Sequence, residues 1–395
     1  MKKIFAAAAM SLAALFLFTG CSAQVVANIS SGWLTDPANT FQDTFYESLD
    51  YSVDFENSET DDNVTIDVDT ENSSFNITTA ALSNYPVPGT SVTYTNVYHL
   101  TMTLTVSATY TYERANGEKL QWTFGGNEDA DPDTFAPEDA DTVTQEVWFT
   151  SADSRATGTD DALPAYSPIR SVLTSRTHSV ADTIGDDSTL FVSMCDYSCT
   201  IVYDESGQNA TITYTDNYAD LTDEERLAND YVLKEILNFP GSRELSDLQK
   251  NYTCIDNAQL FFIARGLEMS EGASNTLTVV SGAANNYPAA IRISCAEPVN
   301  SHVEFTMVNT DGSVREYGKS EDEQIPVATM TFSLTNAGLN VGESTSVTYA
   351  QRITNGSNTN RCLPLSIVTP YGRTVGSYVY ALETASYQAP AGEQA

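Results

Sequence analysis

The acidic segment 127–141, NEDADPDTFAPEDAD, holds the side chains whose type and spacing come nearest to a metal site. Asp129, Asp131 and Asp133 alternate as the first oxygen ligands of a calcium-binding loop do. The glycine that such a loop needs at its sixth position is missing, and Ala140 stands where a bidentate Glu is expected. Seven acids and two prolines instead favour an exposed, solvated loop, with weak calcium binding by the three aspartates as the alternative.

Cysteines form a second group with possible chemistry. The chain has six of them, and if Cys21 carries a lipid, as its sequence context below predicts, the five that remain leave at least one thiol outside any intramolecular disulfide. If residues 196–198 continue a strand, Cys195 and Cys199 are separated by four steps of about 3.3 Å, too far for a disulfide. If those residues form a hairpin loop, the two sulfurs could pair. The disulfide candidates are Cys195, Cys199, Cys254, Cys295 and Cys362.

No catalytic constellation is evident in the sequence. His99, His178 and His302 fall on separate predicted strands, where solvated histidines are expected. The chain has no Gly-x-Ser-x-Gly elbow, no HExxH motif and no phosphate-binding glycine loop. Acids are too numerous for any glycosidase pair to stand out. We therefore predict neither an enzyme nor a cofactor.

Arg265 ends an otherwise apolar helical stripe formed by Leu260, Phe261, Ala264 and Leu267. A guanidinium in this position has two uses. It either pairs with a carboxylate as a structural clamp or faces a cavity and meets the anionic head of a ligand. The sequence favours the clamp and leaves the second interpretation open.

The N-terminus has the pattern of a secretory signal peptide. Lys2 and Lys3 precede the apolar run 4–18, and the small residues Thr19 and Gly20 follow it. This run is shorter than the ~20 residues that a membrane-spanning helix needs. The pattern predicts export.

Cys21, directly after Thr-Gly, resembles the lipobox cysteine of bacterial lipoproteins, although Phe18 stands where that family most often has Leu. The resemblance implies cleavage before Cys21 and attachment of at least two acyl chains, enough for stable anchoring because each buried methylene contributes about 0.8 kcal/mol. The expected location is the extracytoplasmic side of the cell envelope, with the membrane as a partner through this lipid. A plain signal peptide that ends near a cysteine is the alternative.

The charge excludes some partners. The net charge is −35, and no Lys or Arg occurs between Lys3 and Arg114. Such a chain is repelled by nucleic acid and by anionic lipid headgroups. An exposed and highly soluble surface explains the acidity best.

One long β-hairpin dominates the pattern. From Ser91 to Tyr112 apolar residues occupy one parity and mostly threonines the other, which predicts a long, half-buried antiparallel strand. Asn116-Gly117 is a type I′ turn signal, and Leu120, Trp122 and Phe124 continue the alternation on the return strand. The residues expected to face a ligand are Leu100, Met102, Leu104, Trp122, Phe124 and Arg265.

Further elements follow the hairpin. A capping box at Thr222 and Glu225 predicts a helix over 222–238, and Asp256 with Gln259 predicts a second over 256–267. The predicted strands are 142–150, 168–180, 189–204, 209–215, 275–281, 290–295, 302–309, 313–318, 326–335, 345–354, 363–369 and 374–383.

These elements predict a mainly β fold, a large curved antiparallel sheet that is either a half-barrel or a sandwich, with one or two helices packed on it. The predicted organisation is a lipoprotein signal peptide, an acidic N-terminal segment that is partly a tether, a β-rich domain, and a flexible tail. Similar AALSNYP and AANNYP segments leave open a division of the domain near 220–250. The boundaries are 1–20, 21–75, 76–386 and 387–395.

The segment IDNAQLFFIARGLEM (255–269), with VTPYGR (368–373) and YSPIRSVLTSRTHSV (166–180), resembles a family of uncharacterised bacterial envelope proteins. The resemblance covers about residues 90–385. It implies an antiparallel half-barrel, an architecture that periplasmic lipoprotein carriers also use. The family has no established chemistry, so the resemblance implies no mechanism.

Two hypotheses about function follow. In the first, the anchored protein binds an apolar or amphiphilic, lipid-like ligand on the concave face of its sheet. In the second, the sheet is filled by its own side chains, and the protein is a structural or adhesive interaction module. A cavity at the expected ligand-facing residues favours the first hypothesis, and a packed core there favours the second.

Overall fold

A computed structural model of the chain describes the greater part of the sequence. The described residues are 41, 43–59, 63–114, 116–126, 135–159, 163–182, 190–218, 220–228, 231–233, 241–282, 288–334, 344–351, 354–355, 358–359, 362–371 and 375–389.

Strands hold 62% of the described residues, which confirms the predicted mainly β class. The first ten are β1 (Tyr46–Asn57), β2 (Val64–Val68), β3 (Ser74–Pro86), β4 (Thr93–Val106), β5 (Ala108–Glu113), β6 (Lys119–Phe124), β7 (Asp141–Thr157), β8 (Pro168–Asp182), β9 (Leu190–Tyr203) and β10 (Ala210–Asp216). The others are β11 (Leu227–Ala228), β12 (Tyr231–Leu233), β13 (Ser242–Leu245), β14 (Cys254–Asp256), β15 (Ser274–Val280), β16 (Ala289–Cys295), β17 (Val299–Ser301), β18 (Phe305–Val308), β19 (Val314–Tyr317), β20 (Ile325–Leu334), β21 (Thr345–Ala350), β22 (Thr354–Asn355), β23 (Asn358–Thr359), β24 (Pro364–Tyr371) and β25 (Gly376–Ser386).

Most strands belong to one large curved sheet. Its antiparallel path runs β9, β8, β7, β4, β3, β1, β25, β24, β21, β20, β16 and β15. Three added pairings are parallel: β14 on β15, β12 on β9, and β18 on β25. The sheet joins the two ends of the described chain, because β1 pairs with both β3 and β25.

The predicted long hairpin strand is divided between two sheets, which corrects the prediction of one continuous strand. β4 lies in the large sheet, whereas β5 pairs with β2 and β6 in a separate three-stranded sheet. The division falls at Ser107, whose backbone N–H donates to the Ser73 hydroxyl over 2.9 Å instead of to a neighbouring strand. A turn joins β5 and β6 at the predicted place, but it is not the predicted type I′ turn, which needs a positive φ at both central residues. Gly117 has a φ of 81°, whereas Asn116 has no positive φ, and the Gly117 N–H donates to the Arg114 carbonyl over 2.8 Å.

A bulge at Asn96 also corrects the predicted alternation. Asn96 has a left-handed φ of 55°, and the register of β4 against β7 shifts there. Val92 and Tyr94 therefore pack with Val97 in a small cluster, while Tyr98 enters the main core. The apolar residues of this strand face two different cores, so they do not form a single face.

The first predicted helix, 222–238, is wrong at 227–228 and 231–233, and its residues 229–230 and 234–238 lie outside the described part of the chain. Its capping box forms, with the Glu225 N–H donating to the Thr222 hydroxyl. The helix α1 (Asp223–Arg226) then gives way to β11, and β12 (Tyr231–Leu233) pairs with β9. Tyr and Val favour strands, so tertiary pairing with β9 outweighs the local helical pattern.

The second predicted helix exists, in a shorter form. A 3₁₀ turn over Asn257–Gln259 leads into α2 (Leu260–Ala264). Asp256 and Gln259 form the predicted capping box. Leu260, Phe262, Ile263 and Ala264 are buried, so this short helix is packed into the main core.

The main hydrophobic core draws its side chains from both sides of the 220–250 region, from Phe45 through to Tyr387. A second cluster around Ile201 and Ile212 lies between the β8–β10 strands and the end of β15. The segment 41–75, part of the stretch predicted to be partly a tether, contributes β1, β2 and the start of β3.

Candidate functional site

The apolar face of the curved sheet, where a ligand was expected, is occupied by the protein itself. Leu100 and Phe124 are 1% and 2% exposed. Met102, Leu104 and Trp122 are half-buried and pack against the main core. All five predicted ligand-facing side chains on the strands thus contact other parts of the same chain.

Helix α2 fills this face around Leu100 and Met102, whereas Trp122 and Phe124 belong to β6 in the three-stranded sheet. The Phe262 ring lies 5.2 Å from Phe149 and 5.9 Å from Tyr98, measured between ring centroids. Phe261 contacts Phe332 edge-on at 5.9 Å, and its carbonyl accepts a hydrogen bond from the Tyr349 hydroxyl. Because aromatic rings bury large areas and pack in these tilted geometries, the helix is fixed firmly on the sheet.

The space left between the helix and the strands is very small. A cavity of about 10 Å³ remains beside Leu100, Met102, Phe262 and Arg265. That volume is about the least that one water molecule needs. No apolar ligand of lipid size fits there without displacement of α2.

Asp256 is the polar joint between α2 and the sheet. Its carboxylate is fully buried and accepts hydrogen bonds from the Ser171 hydroxyl at 2.6 Å and the Tyr203 hydroxyl at 2.8 Å. The Gln145 side chain and the Ala258 N–H also donate to it, at 3.2 Å and 3.0 Å. These donors come from β7, β8, β9 and the 3₁₀ turn, so a single side chain connects four elements.

Two opposing effects act on the ionisation of Asp256. Burial disfavours the charged form and raises the pKa of the carboxyl above its ordinary value. The hydrogen bonds from Ser171, Ala258 and Tyr203 oppose this rise but do not cancel it. With no exposed surface, Asp256 holds structure together and has no direct path to a substrate.

Arg265 pairs with Glu47 in the interior. Nη1 of Arg265 lies 2.5 Å from Oε1 of Glu47, and Nη2 lies 2.9 Å from Oε2. Both side chains are 2% exposed. Burial alone would lower the pKa of Arg265, but the Glu47 carboxylate outweighs that effect and raises it. Arg265 therefore pairs with a carboxylate, as in the first of the two uses considered for it in the sequence.

His178 is buried, which corrects the expectation of a solvated histidine, and it links β8 to the first residue of β7 and to the segment before β7. Its Nδ1 lies 2.6 Å from Oδ1 of Asp141, and its Nε2 lies 3.2 Å from the Ala136 carbonyl oxygen. The Phe124 ring stacks on the imidazole at 4.1 Å. Burial raises the pKa of Asp141, while the hydrogen bonds from His178 act in the opposite direction.

The other two histidines lie elsewhere. His99 stacks on Trp148 at 4.4 Å, with Glu146 at 3.7 Å. His302 contacts the Glu304 side chain and the Glu323 carbonyl. In the described ranges no three His, Cys, Asp or Glu residues are placed to hold a metal ion together.

No disulfide joins the five candidate cysteines, and each keeps its thiol. Cys195 and Cys199 both lie within the continuous strand β9, so residues 196–198 continue the strand and do not form a hairpin loop. Cys199, Cys254 and Cys295 are buried, and Cys362 is half-buried like Cys195. Burial raises the pKa of the Cys199 thiol to about 12 and raises that of Cys254 as well.

Several predicted features lie outside the described residues. These are the signal peptide, the lipidation candidate Cys21, the calcium candidates Asp129, Asp131 and Asp133, and the end of the tail. In the portion of the chain that is described, no helix combines the length and the apolar character required to cross a membrane.

Sequence reasoning missed the partner of Arg265. Glu47 belongs to the acidic segment predicted to be partly a tether. A signal was present, because Glu47, Leu49, Tyr51, Val53 and Phe55 share one parity of β1 and are all buried. An acid among apolar residues on the buried face of a strand indicates an interior partner.

No protein-family model matches the chain, and no curated protein matches it in sequence. Among solved structures, it is similar to a β-barrel-like protein of the domain of unknown function DUF1849 from Brucella abortus. The identity is 7%, the match covers 86% of this chain and 97% of that chain, and the TM-score is 0.36. At this TM-score, nothing about the function of the present chain follows from the likeness.

Proposed function

We propose that the protein is a lipid-anchored, extracytoplasmic interaction module whose large curved sheet is filled by its own side chains. One observation carries the choice of a module over a carrier. The face expected to bind a lipid-like ligand is covered by α2, and about 10 Å³ of space remains. In this proposal the protein acts through its surface and performs no catalytic step.

The buried polar joints support the same role. Asp256 and the Glu47–Arg265 pair both fix α2 in place, so removal of the helix to admit a ligand would leave the Glu47 carboxylate without its partner on the apolar face. Breaking a buried ion pair typically costs about 3–5 kcal/mol. A sheet whose apolar face is covered by its own helix is better suited to rigid surface contacts with a partner than to carrying a ligand inside.

The anchor is supported by the sequence alone, through the signal pattern and Cys21. The test is fractionation of the native host after substitution of Cys21→Ser. The unchanged protein is expected in the membrane fraction, released by detergent but not by high salt. The C21S protein is expected in the soluble or secreted fraction. Membrane association of C21S equal to that of the unchanged protein would contradict the anchor.

The filled sheet has a separate test. A fluorescent apolar dye with a negative charge, which the acidic surface of the protein repels, is expected to gain no emission with the folded protein. Phe262→Ala opens space for about one aromatic ring beside Leu100, which is enough for xenon or benzene and too little for a dye, so binding of xenon detected by NMR should appear in this variant alone. Strong emission with the unchanged protein would favour the carrier hypothesis.

A further inference from the structure

A large groove lies away from the filled sheet face, between two hairpin ends. It has a volume of about 580 Å³. The connection between β3 and β4 forms one side, and the β9–β10 turn forms the other. Small-molecule sites commonly span about 300–1,000 Å³, so the groove has the size of a ligand site.

One wall of the groove is apolar. Val87, Val92, Tyr94 and Ile169 line it and belong to the small cluster created by the bulge at Asn96. Because the cluster fixes these side chains, the wall is formed before any ligand arrives. The four side chains are 1–6% exposed and form the floor of the groove, and the half-buried Val202 beside them adds apolar surface that a ligand can contact.

The opposite wall is acidic. Asp204, Glu205 and Glu244 line it, and among the described lining residues none is Lys or Arg. Glu205 and Glu244 are exposed. The Thr211 hydroxyl lies 3.0 Å from both carboxylate oxygens of Glu244, which holds that side chain beside the groove.

Asp204 is fixed as a carboxylate by the turn itself. It accepts hydrogen bonds from the Asn209 side chain at 2.6 Å, the Gln208 N–H at 3.0 Å and the Ser206 hydroxyl at 2.9 Å. Partial burial tends to raise its pKa, but these hydrogen bonds outweigh burial and hold the pKa below its ordinary value. The turn therefore presents a negative charge throughout the neutral pH range.

We propose that this groove binds a small organic cation, an ammonium group carried on an aliphatic or aromatic body. The apolar wall takes the body, and the carboxylates of Glu205, Glu244 and Asp204 attract the ammonium group. An anionic ligand is repelled, and a neutral one gains nothing from the acidic wall. The groove shares no lining residue with the small cavity under α2, so the proposal goes beyond the proposed function and stands or falls independently of it.

The test is calorimetric or ligand-observed NMR titration of the full-length protein in a non-ionic detergent. The probe is phenethylamine, which is protonated at pH 7, and its matched neutral control is phenethyl alcohol. We expect the amine to bind at least about fivefold more tightly, the factor that one favourable ion pair of about 1 kcal/mol supplies. Added salt should weaken the binding of the amine and leave the binding of the alcohol unchanged.

Two exposed positions make the test specific without threatening the fold. Glu205→Gln and Glu244→Gln should each weaken amine binding by about threefold to fivefold. Glu297→Gln removes the same charge from an exposed turn outside the groove and should leave binding unchanged.

Four results would overturn the proposal. The first three are no binding of the amine, equal binding of amine and alcohol, and equal effects of E205Q, E244Q and E297Q. The fourth comes from a parallel titration with a lysine-rich peptide, if the peptide binds and the amine does not. The last result would assign the acidic wall to a macromolecular partner. None of them bears on the lipid anchor or on the filled sheet face.

Discussion

At the scale of single residues, the stability of the fold depends on charges placed in the interior. Glu47 and Arg265 face each other where neither meets water, so each is tolerable only because the other is present. The coulombic gain of such a pair roughly offsets its desolvation, whereas removal of one member leaves the other charge uncompensated. The pair therefore adds little net stability, and its main effect is to fix where α2 lies on the sheet.

We predict that Arg265→Met lowers the free energy of unfolding by about 3–5 kcal/mol, because Glu47 is left buried without its partner. The double variant Glu47→Leu with Arg265→Met should recover most of that loss. Denaturant unfolding of the four proteins in the cycle measures both effects. Arg114→Met, which breaks an exposed pair with Glu118, is the control and should change little. A double variant no more stable than R265M would contradict the account.

Asp256 makes stability depend on pH in a defined direction. Burial raises its pKa in the folded state above the unfolded value, so the protonated form favours folding. The contribution is fully present below the unfolded pKa and is lost as pH rises toward the folded one.

Asp256→Asn removes this titration while keeping the shape of the side chain. The stability of the unchanged protein relative to D256N should therefore decrease as pH rises from about 4, the ordinary range of an aspartate. Urea unfolding at a series of pH values gives the free energy of unfolding of both proteins, and the slope of each against pH can then be compared. Parallel slopes would show that Asp256 does not titrate between the folded and unfolded states.

At the scale of elements, the bulge in β4 decides which core each apolar residue enters. Asn96 supplies a left-handed backbone, and Asn is among the few residues other than Gly that adopt it readily. Without the bulge, Val92 and Tyr94 would share a face with Tyr98, and the apolar wall of the groove would be lost.

We predict that Asn96→Ala is less stable than Asn96→Gly by about 1–2 kcal/mol, the ordinary cost of a left-handed Ala. Both variants lose the hydrogen bond that the Asn96 side chain donates to the Asp153 carbonyl, so their difference isolates the backbone. Thermal and denaturant unfolding measure it. Equal stability of N96A and N96G would argue against a left-handed requirement.

Local patterns predicted the strands and the capping box well, because both depend on neighbouring residues. The turn at Gly117 and the pair formed by Asp256 and Gln259 are examples. Patterns failed where distant contacts decide the outcome. The break at Ser107 depends on the Ser73 hydroxyl, and the end of α1 depends on pairing between β12 and β9. The partner of Arg265 lies 218 residues away.

At the scale of the whole molecule, the fold is held without disulfides. The five cysteines beyond Cys21 keep their thiols, and the largest core is apolar and aromatic. The free energy of unfolding should therefore be the same with and without a reducing agent.

Cysteine reactivity should follow burial. We predict that iodoacetamide at neutral pH modifies the half-buried Cys195 and Cys362 before the buried Cys199 and Cys254, because burial raises the pKa of the last two. Mass spectrometry of peptides after timed labelling gives the order, and labelling of the unfolded chain provides the control. Rapid modification of Cys254 in the folded protein would contradict the packing around it.

A curved sheet that is filled from within should carry no lipid. Native mass spectrometry of residues 24–395, purified from the protein's own host, can detect a bound lipid. We expect the mass of the polypeptide without a lipid-sized addition, and no uptake of added phospholipid. A lipid-sized mass that is released by denaturation would contradict the filled sheet and restore the carrier hypothesis.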